Sequence, residues 1–386
     1  MRTALLTAFF ANCALFGASA ILVGAAVPEI IREFSWSYLE IGVVLSAGSV
    51  GFFCSTFLCG LLVGHIGPQK TLVGGLVLQG VGLALIGQSP ALWPNLAAIM
   101  LVGLGEGGSE VATNFCLVRL EKSGRSQLMN FIHAAFTAGA ILGPLSIGLL
   151  LERGLAWQTA FQVLGALSLA MALAFGLLPF AGLRASSEPP SLRRGLELLR
   201  RDPLLLLLTL IILLYVGAEI GVSNWIAEYF VQVRGATPAQ GAYMVSLLWV
   251  GLLVGRLVAA AAYRHQRQAP LLVGASALAT GALAAALLAD ETWLAGACFL
   301  LGGVGFAAIY PVVVVIAGQY YRDDQGLAIG AIATGGGLGS FLFPFAMSAL
   351  AQGLGIGQAF WFYAALSLAM GLTAVLVIRR ERPVRA

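Results

Sequence analysis

Charge is scarce in this sequence. Of its 386 residues only 10% are Asp, Glu, Lys or Arg, against about 25% in ordinary soluble domains. Lys/Arg runs long enough for a nucleic acid are missing too, and the net charge is only +4, so no nucleic-acid partner is expected. The five cysteines (Cys13, Cys54, Cys59, Cys116, Cys298) lie singly in apolar stretches, with no CxxC and no Cys/His pair at metal spacing. They read as small packing residues, and neither a metal nor a cofactor is implied. No nucleophile–base pair and no sizeable polar domain interrupts the chain, so an enzyme is not expected.

Apolar sequence takes up most of the rest: 59% of residues are hydrophobic and the mean hydropathy is +0.93. A soluble protein of this composition could not cover its surface, so lipid must be the solvent for much of it. A membrane helix needs about 20 mostly apolar residues. Twelve segments qualify, roughly 4–27, 40–63, 71–88, 95–118, 128–151, 158–181, 204–230, 240–262, 270–289, 292–317, 326–350 and 357–379. Their continuous apolarity, without period-two alternation, argues against a β-barrel. The first resembles a signal peptide up to Ala18-Ser19-Ala20, but its apolar run continues to Val27 and it has a counterpart in the second half, so it is read as a span. Ser37/Glu40 and Thr237/Gln240 have capping-box spacing at the starts of the second and eighth spans.

The termini and the even-numbered loops hold every Lys and Arg except Arg32, Arg153, Arg234 and Arg256. The positive-inside rule then predicts a multi-pass inner-membrane protein with both termini cytoplasmic. The longest polar connection, about 183–203, carries Leu192, Leu196 and Leu199 on one helical face among Arg193, Arg194, Arg200 and Arg201. Two readings stay open for it, a short interfacial helix and a solvated linker.

The halves align at an offset near 200. Gly17/Gly217, Gly51/Gly251, Gly103/Gly303, Gly139/Gly339 and Pro144/Pro344 coincide. Leu72-Val-Gly74 recurs at 272–274 and Ala166-Leu-Ser-Leu-Ala-Met171 at 365–370. The expected fold is therefore all-α and integral to the membrane, with twelve transmembrane helices in two parallel six-helix repeats. The expected parts are an N-terminal bundle at 1–182, a cytoplasmic linker at 183–203 and a C-terminal bundle at 204–386. Six plus six helices joined by a basic loop is the plan of a transporter with its site between the halves.

Over its whole length the chain resembles the major facilitator superfamily. The loop Gly60-Leu-Leu-Val-Gly64-His65-Ile-Gly67-Pro68-Gln69-Lys70 keeps that family's glycine frame and terminal base. Gly64 stands where the family usually has Asp, which weakens the family's cytoplasmic charge latch here.

Ionisable groups at membrane depth cost at least about 2.5–3.5 kcal/mol on insertion scales and mark function by default. Here they are Glu106, Glu110, His133, Glu219 and Arg256, with Glu228 nearer the outer end. Glu106, Glu110 and Asn114 form one stripe at i, i+4 and i+8. Two carboxylates so close and away from water do not both ionise cheaply, which suits a cation carrier; structural pairing is the plainer reading. On the next helix, past Asn130, His133 lies at a depth similar to that of Glu110, some 8–12 Å from the cytoplasmic ends, and a substrate or proton role and a satisfied hydrogen-bonding group both stay open for it. On the seventh span Glu219, Asn224 and Trp225 suit a polyhydroxylated ligand with one apolar face, though Trp225 also fits an outer aromatic belt. Arg256 reads as a snorkelling or structurally paired cation more than a ligand contact. Gln79, Trp249, Tyr310 and Trp361 either line a cavity or pack; the candidate solute contacts are Asn12, Gln79, Asn114, Asn130, His133, Glu219, Asn224, Trp225 and Tyr310.

Glu110-Val-Ala-Thr-Asn114 after Gly103-Leu-Gly105, Met129-Asn130-Phe-Ile-His133-Ala-Ala-Phe136 and Tyr215-Val-Gly-Ala-Glu219 resemble helices 4, 5 and 7 of the fucose–proton symporter family and its sodium-dependent glucose transporter relatives. That resemblance implies cation coupling and sugar contact for Glu110, with Glu106 beside it, and hydroxyl binding for Asn114. The proton symporter's helix 1 Asp has no match; the polar residue there is Asn12, so H+ and Na+ both stay open. The expected function is cation-coupled uptake of a sugar or similar small polar solute by alternating access, in a functional monomer. The alternative is a proton-driven exporter of drugs or amphiphiles. It rests on Gly139-Ala-Ile-Leu-Gly143-Pro144-Leu-Ser-Ile-Gly148, close to the superfamily's antiporter motif except at Ile147.

Overall fold

The computed structural model describes residues 2–120, 127–180, 192–262, 268–321 and 324–380. The described residues form fifteen helices and no strand. The first six are α1 (Arg2–Phe34), α2 (Tyr38–Ile66), α3 (Pro68–Leu85), α4 (Leu92–Leu120), α5 (Gln127–Glu152) and α6 (Gln158–Leu177). The short α7 (Leu192–Arg201) follows, then α8 (Pro203–Arg234), α9 (Pro238–Ala262) and α10 (Gln268–Leu288). The tenth span is broken into α11 (Thr292–Phe306) and α12 (Ile309–Tyr320), and the twelfth into α14 (Ile356–Ala359) and α15 (Trp361–Arg380), with α13 (Gln325–Leu354) between them. All twelve expected spans are present as helices. Ten of them are long and apolar enough to cross a membrane on composition alone. The other two, α3 and α4, carry Gln69, Lys70 and Gln79, and Glu106, Glu110 and Asn114, which dilute their apolarity.

Both capping boxes form. Glu40 N–H donates to the Ser37 hydroxyl at 3.3 Å, and the Ser37 N–H donates to the Glu40 carboxylate at 2.8 Å. Thr237 and Gln240 repeat the exchange at 3.2 and 2.9 Å. Of the two readings of the linker, 192–201 is a helix, α7, which packs against α13. Asp202 then caps α8 by accepting from the Leu204 N–H at 2.8 Å.

The chain divides into two compact units. The first is 1–189 with 226–231 and 236–246; the second is 190–225, 232–235 and 247–386. Inside the first, a Cβ on Gly17 would strike the Phe136 carbonyl, and one on Gly139 the Ala14 carbonyl, so α1 and α5 touch backbone to backbone. Inside the second, a Cβ on Gly339 would strike the Leu213 carbonyl, bringing α13 onto α8 in the same way. The α2–α4 crossing at Gly103 and the α9–α11 crossing at Gly303 match as well: a Cβ there would meet the carbonyls of Gly48 and Leu248. The repeat glycines thus mark equivalent helix contacts, where small residues let backbones approach. Around them the first unit's core includes Leu5, Phe9, Leu72, Leu76, Cys116 and Phe175, and the five cysteines are free.

Candidate functional site

In the first unit the polar side chains converge where α1 lies along α4. The four-residue spacing places Glu106, Glu110 and Asn114 on one face of α4. Ser19 of α1 donates its hydroxyl to Glu106 Oε1 at 2.6 Å, and Asn12, seven residues earlier on α1, donates to the Thr113 hydroxyl at 3.2 Å. Glu106 is buried, with 7% of its surface exposed. Glu110 and Asn114 are half-buried and hydrogen-bonded to each other. The two carboxylates lie close enough for their charges to repel, and Cys13 of α1 also feels the charge of Glu110. Phe16, on the same helix, stacks on Phe52 with ring centroids 6.0 Å apart and meets Phe136 edge-on at 5.0 Å. A carboxylate–amide pair with an adjacent buried carboxylate can take up a proton or small cation and hydrogen-bond a polar solute.

Around this stripe the other predicted residues separate. Gln79 is buried on α3, against the α4 backbone at Gly105. His133 is exposed on α5, its backbone carbonyl accepting from the Thr137 hydroxyl at 2.9 Å. Asn130 is helical, but its side chain lies outside the described residues.

In the second unit Glu219 is buried and accepts from the Tyr215 hydroxyl one turn earlier at 2.6 Å. Arg256, half-buried on α9, hydrogen-bonds Tyr215 and acts electrostatically on Glu219. Ser223 donates to the Glu219 carbonyl at 2.8 Å, and Trp249 of α9 donates to the Ser223 hydroxyl at 3.2 Å. Tyr310 of α12 is half-buried, its ring 6.5 Å from that of Tyr215. Asn224 and Trp225 are buried; Trp225 has no exposed surface, so it does not stand in an outer aromatic belt.

Two features escaped the sequence reading. Ser19 carries no signal of its own, because its role depends on the register of α1 against α4. Tyr38 donates to Glu228 Oε1 at 3.1 Å across 190 residues of sequence, and Glu228 has no exposed surface. Elsewhere in the first unit, a cleft of about 630 Å³ is lined by Glu29, Arg32, Glu33, Trp157 and Gln158 among others. Arg32 is paired with Glu29 there, and the Trp157 indole donates to Glu33 at 2.6 Å. None of the predicted site residues lines it.

The Major Facilitator Superfamily model matches residues 8–306 and 264–386. An uncharacterised MFS-type transporter of Yersinia pestis is 25% identical over 323 residues, covering 83% of this chain and 82% of the relative. A bacterial homologue of the human lysosomal transporter Spinster, in an inward-facing and unoccupied conformation, superposes with a TM-score of 0.82 at 14% identity, covering 98% of this chain and 97% of the other. A D-xylose–proton symporter superposes with a TM-score of 0.72 at 17% identity, covering 96% and 97%. At such identities the structural likeness is one of fold. The family match spans nearly the whole sequence, and this multi-pass membrane transporter belongs to the Major Facilitator Superfamily.

Proposed function

We propose that the protein couples the uptake of a sugar or similar small polar solute to the movement of H+ or Na+, with Glu110 as the group that loads the cation. One observation carries the reading: Glu110 is half-buried, hydrogen-bonded to the Asn114 amide and one turn from the buried Glu106. Both partners lack a positive charge, so a proton or a bound cation is what neutralises Glu110. Asn114 beside it presents an amide to a hydroxyl. Asn12, tied to Thr113, and Ser19, tied to Glu106, hold α4 in register against α1.

The resemblance of α4, α5 and α8 to the fucose–proton symporter branch supports the same assignment, and the fold is one that a D-xylose–proton symporter also has. The bundles 1–182 and 204–386 are the bodies proposed to move in alternating access. The Lys/Arg distribution supports cytoplasmic termini in an inner membrane. Export gains nothing from the Gly139–Gly148 motif, because Gly139 and Gly143 are already accounted for by the close contact of α5 with α1.

The substrate class is tested by a thermal-shift panel on the purified protein: sugars, polyols, organic acids and lipophilic cations, at two pH values, with and without Na+. A ligand that binds the folded state raises the melting temperature by mass action. A shift with a sugar or polyol supports the proposal. A shift confined to lipophilic cations contradicts it.

A further inference from the structure

Tryptophan collects at the helix ends away from the Lys/Arg-rich loops, and it does so in two ways. Trp36 and Trp157 are buried there and donate inside the protein, to the Pro90 carbonyl at 3.0 Å and to Glu33 at 2.6 Å. Trp93 and Trp293 are turned outward, with 75% and 71% of their surface exposed. They coincide at the repeat offset of 200, and each is the second residue of its helix, α4 and α11. Each stands where a polar turn meets an apolar helix face. Gln88-Ser89-Pro90 precedes α4 and Asp290-Glu291 precedes α11. One and two turns further along, the exposed residues are Ala97 and Met100 on α4 and Ala297 and Leu301 on α11. The turns themselves are pinned. Asn95 accepts from the Gly87 N–H at 2.8 Å and donates to the Ser89 and Ala91 carbonyls at 2.7 and 2.8 Å. In the second unit the Arg234 guanidinium donates to the Ala286 carbonyl at 2.9 Å and to that of Ala289.

Length sets the depth of these rings. At 1.5 Å per residue, Trp93 lies about 39 Å along α4 from Arg119 in its last turn. Trp293 lies about 40 Å along α11 and α12 from Tyr320. A hydrocarbon core is about 30 Å thick, and a bilayer with its headgroups about 40–45 Å. With Arg119 among the headgroups of one surface, the Trp93 ring reaches those of the other. An indole joins a wide apolar ring to one N–H donor, which suits the layer where ester carbonyls meet acyl chains.

We propose that Trp93 and Trp293 are interfacial anchors, one for each unit, whose indoles seat among the lipid ester groups at the bilayer surface remote from the Lys/Arg-rich loops. The pinned turns make each ring a fixed point on its unit, so its partition into the interface sets the depth at which that unit is held. The belt position that the sequence offered to Trp225 belongs to these two residues. Neither the solute nor the coupling cation enters this assignment, and the depth of a ring is the same whichever way the termini face.

The test is tryptophan fluorescence of the full-length protein reconstituted into phosphatidylcholine brominated either near the ester groups or near the chain ends. Bromine quenches only the indoles it reaches. Wild-type emission is expected to be quenched more by the shallow bromines than by the deep ones. Trp93→Phe and Trp293→Phe are each expected to lose part of that shallow quenching, and W93F/W293F most of it, with the exposed Trp361 supplying the remainder. Phenylalanine keeps an apolar ring at these exposed positions, so the variants are expected to fold. Shallow quenching in W93F/W293F equal to that of the wild type would overturn the proposal. So would a lost component that the chain-end bromines quench best, which places the rings at mid-membrane. A lost component that answers to acrylamide in the water and to neither lipid places them in solvent, and one that answers to no quencher places them under a second copy of the chain; either result also overturns it.

Discussion

Glu106 and Glu110 stand one helical turn apart and are held differently. Glu106 is buried and tied to Ser19; Glu110 is half-buried and shares its bond with an amide on its own helix. Removing the Ser19 hydroxyl leaves a buried carboxyl short of a partner, which costs about 1–3 kcal/mol. Ser19→Ala is therefore expected to lower the melting temperature in detergent. Glu106→Gln, which keeps an acceptor for Ser19, is expected to lower it less. Equal losses in the two variants would show that the Ser19 bond contributes little. The i, i+4, i+8 stripe was legible in the sequence because it obeys helical periodicity within one element. Ser19, 87 residues away, was not, because periodicity within α4 says nothing about which residue of α1 arrives opposite. The same limit applies to Arg256: its depth followed from counting residues, whereas its place beside Tyr215 required the rotation of α9 about its axis.

Among the helices, the offset of 200 between glycines has a steric meaning. A side chain at Gly103 would drive into the α2 backbone at Gly48, and one at Gly303 into α9 at Leu248. By contrast, a Cβ on Gly74 or on its repeat partner Gly274 would meet nothing within 4 Å. Gly103→Leu overpacks a helix crossing and is expected to cost about 1–3 kcal/mol or more, read as a large fall in melting temperature or loss of monodisperse protein. Gly74→Ala is expected to be neutral or slightly stabilising, since Ala exceeds Gly in helix propensity by about 1 kcal/mol. Thr237→Ala removes the cap of α9 and is expected to cost about 1 kcal/mol, measured in the same melts. Helix starts were readable where a capping residue fixes them, as at Ser37 and Thr237. The break between α11 and α12 is masked by the apolarity of 292–317, although Pro311, in the first turn of α12, has no N–H with which to continue the helix from α11. The extension of α1 to Phe34, through Pro28, was hidden for a related reason: a proline normally argues for an ending.

For the whole molecule, the scarcity of charge that excludes a soluble fold also isolates the few charges that matter. Twelve spans and a two-fold repeat were legible because each rests on many residues at once. The solute was not, because its recognition rests on a handful of side chains whose identities suit several polar ligands. The central claim is that Glu110 loads the coupling cation. The direct measurement is uptake by protein in liposomes, wild type against Glu110→Gln, of a labelled sugar that shifts the melting temperature, under an imposed proton or Na+ gradient. Wild-type protein is expected to accumulate the sugar. Glu110→Gln is expected to exchange it across the membrane without accumulating it. Accumulation by Glu110→Gln equal to that of the wild type would contradict the account.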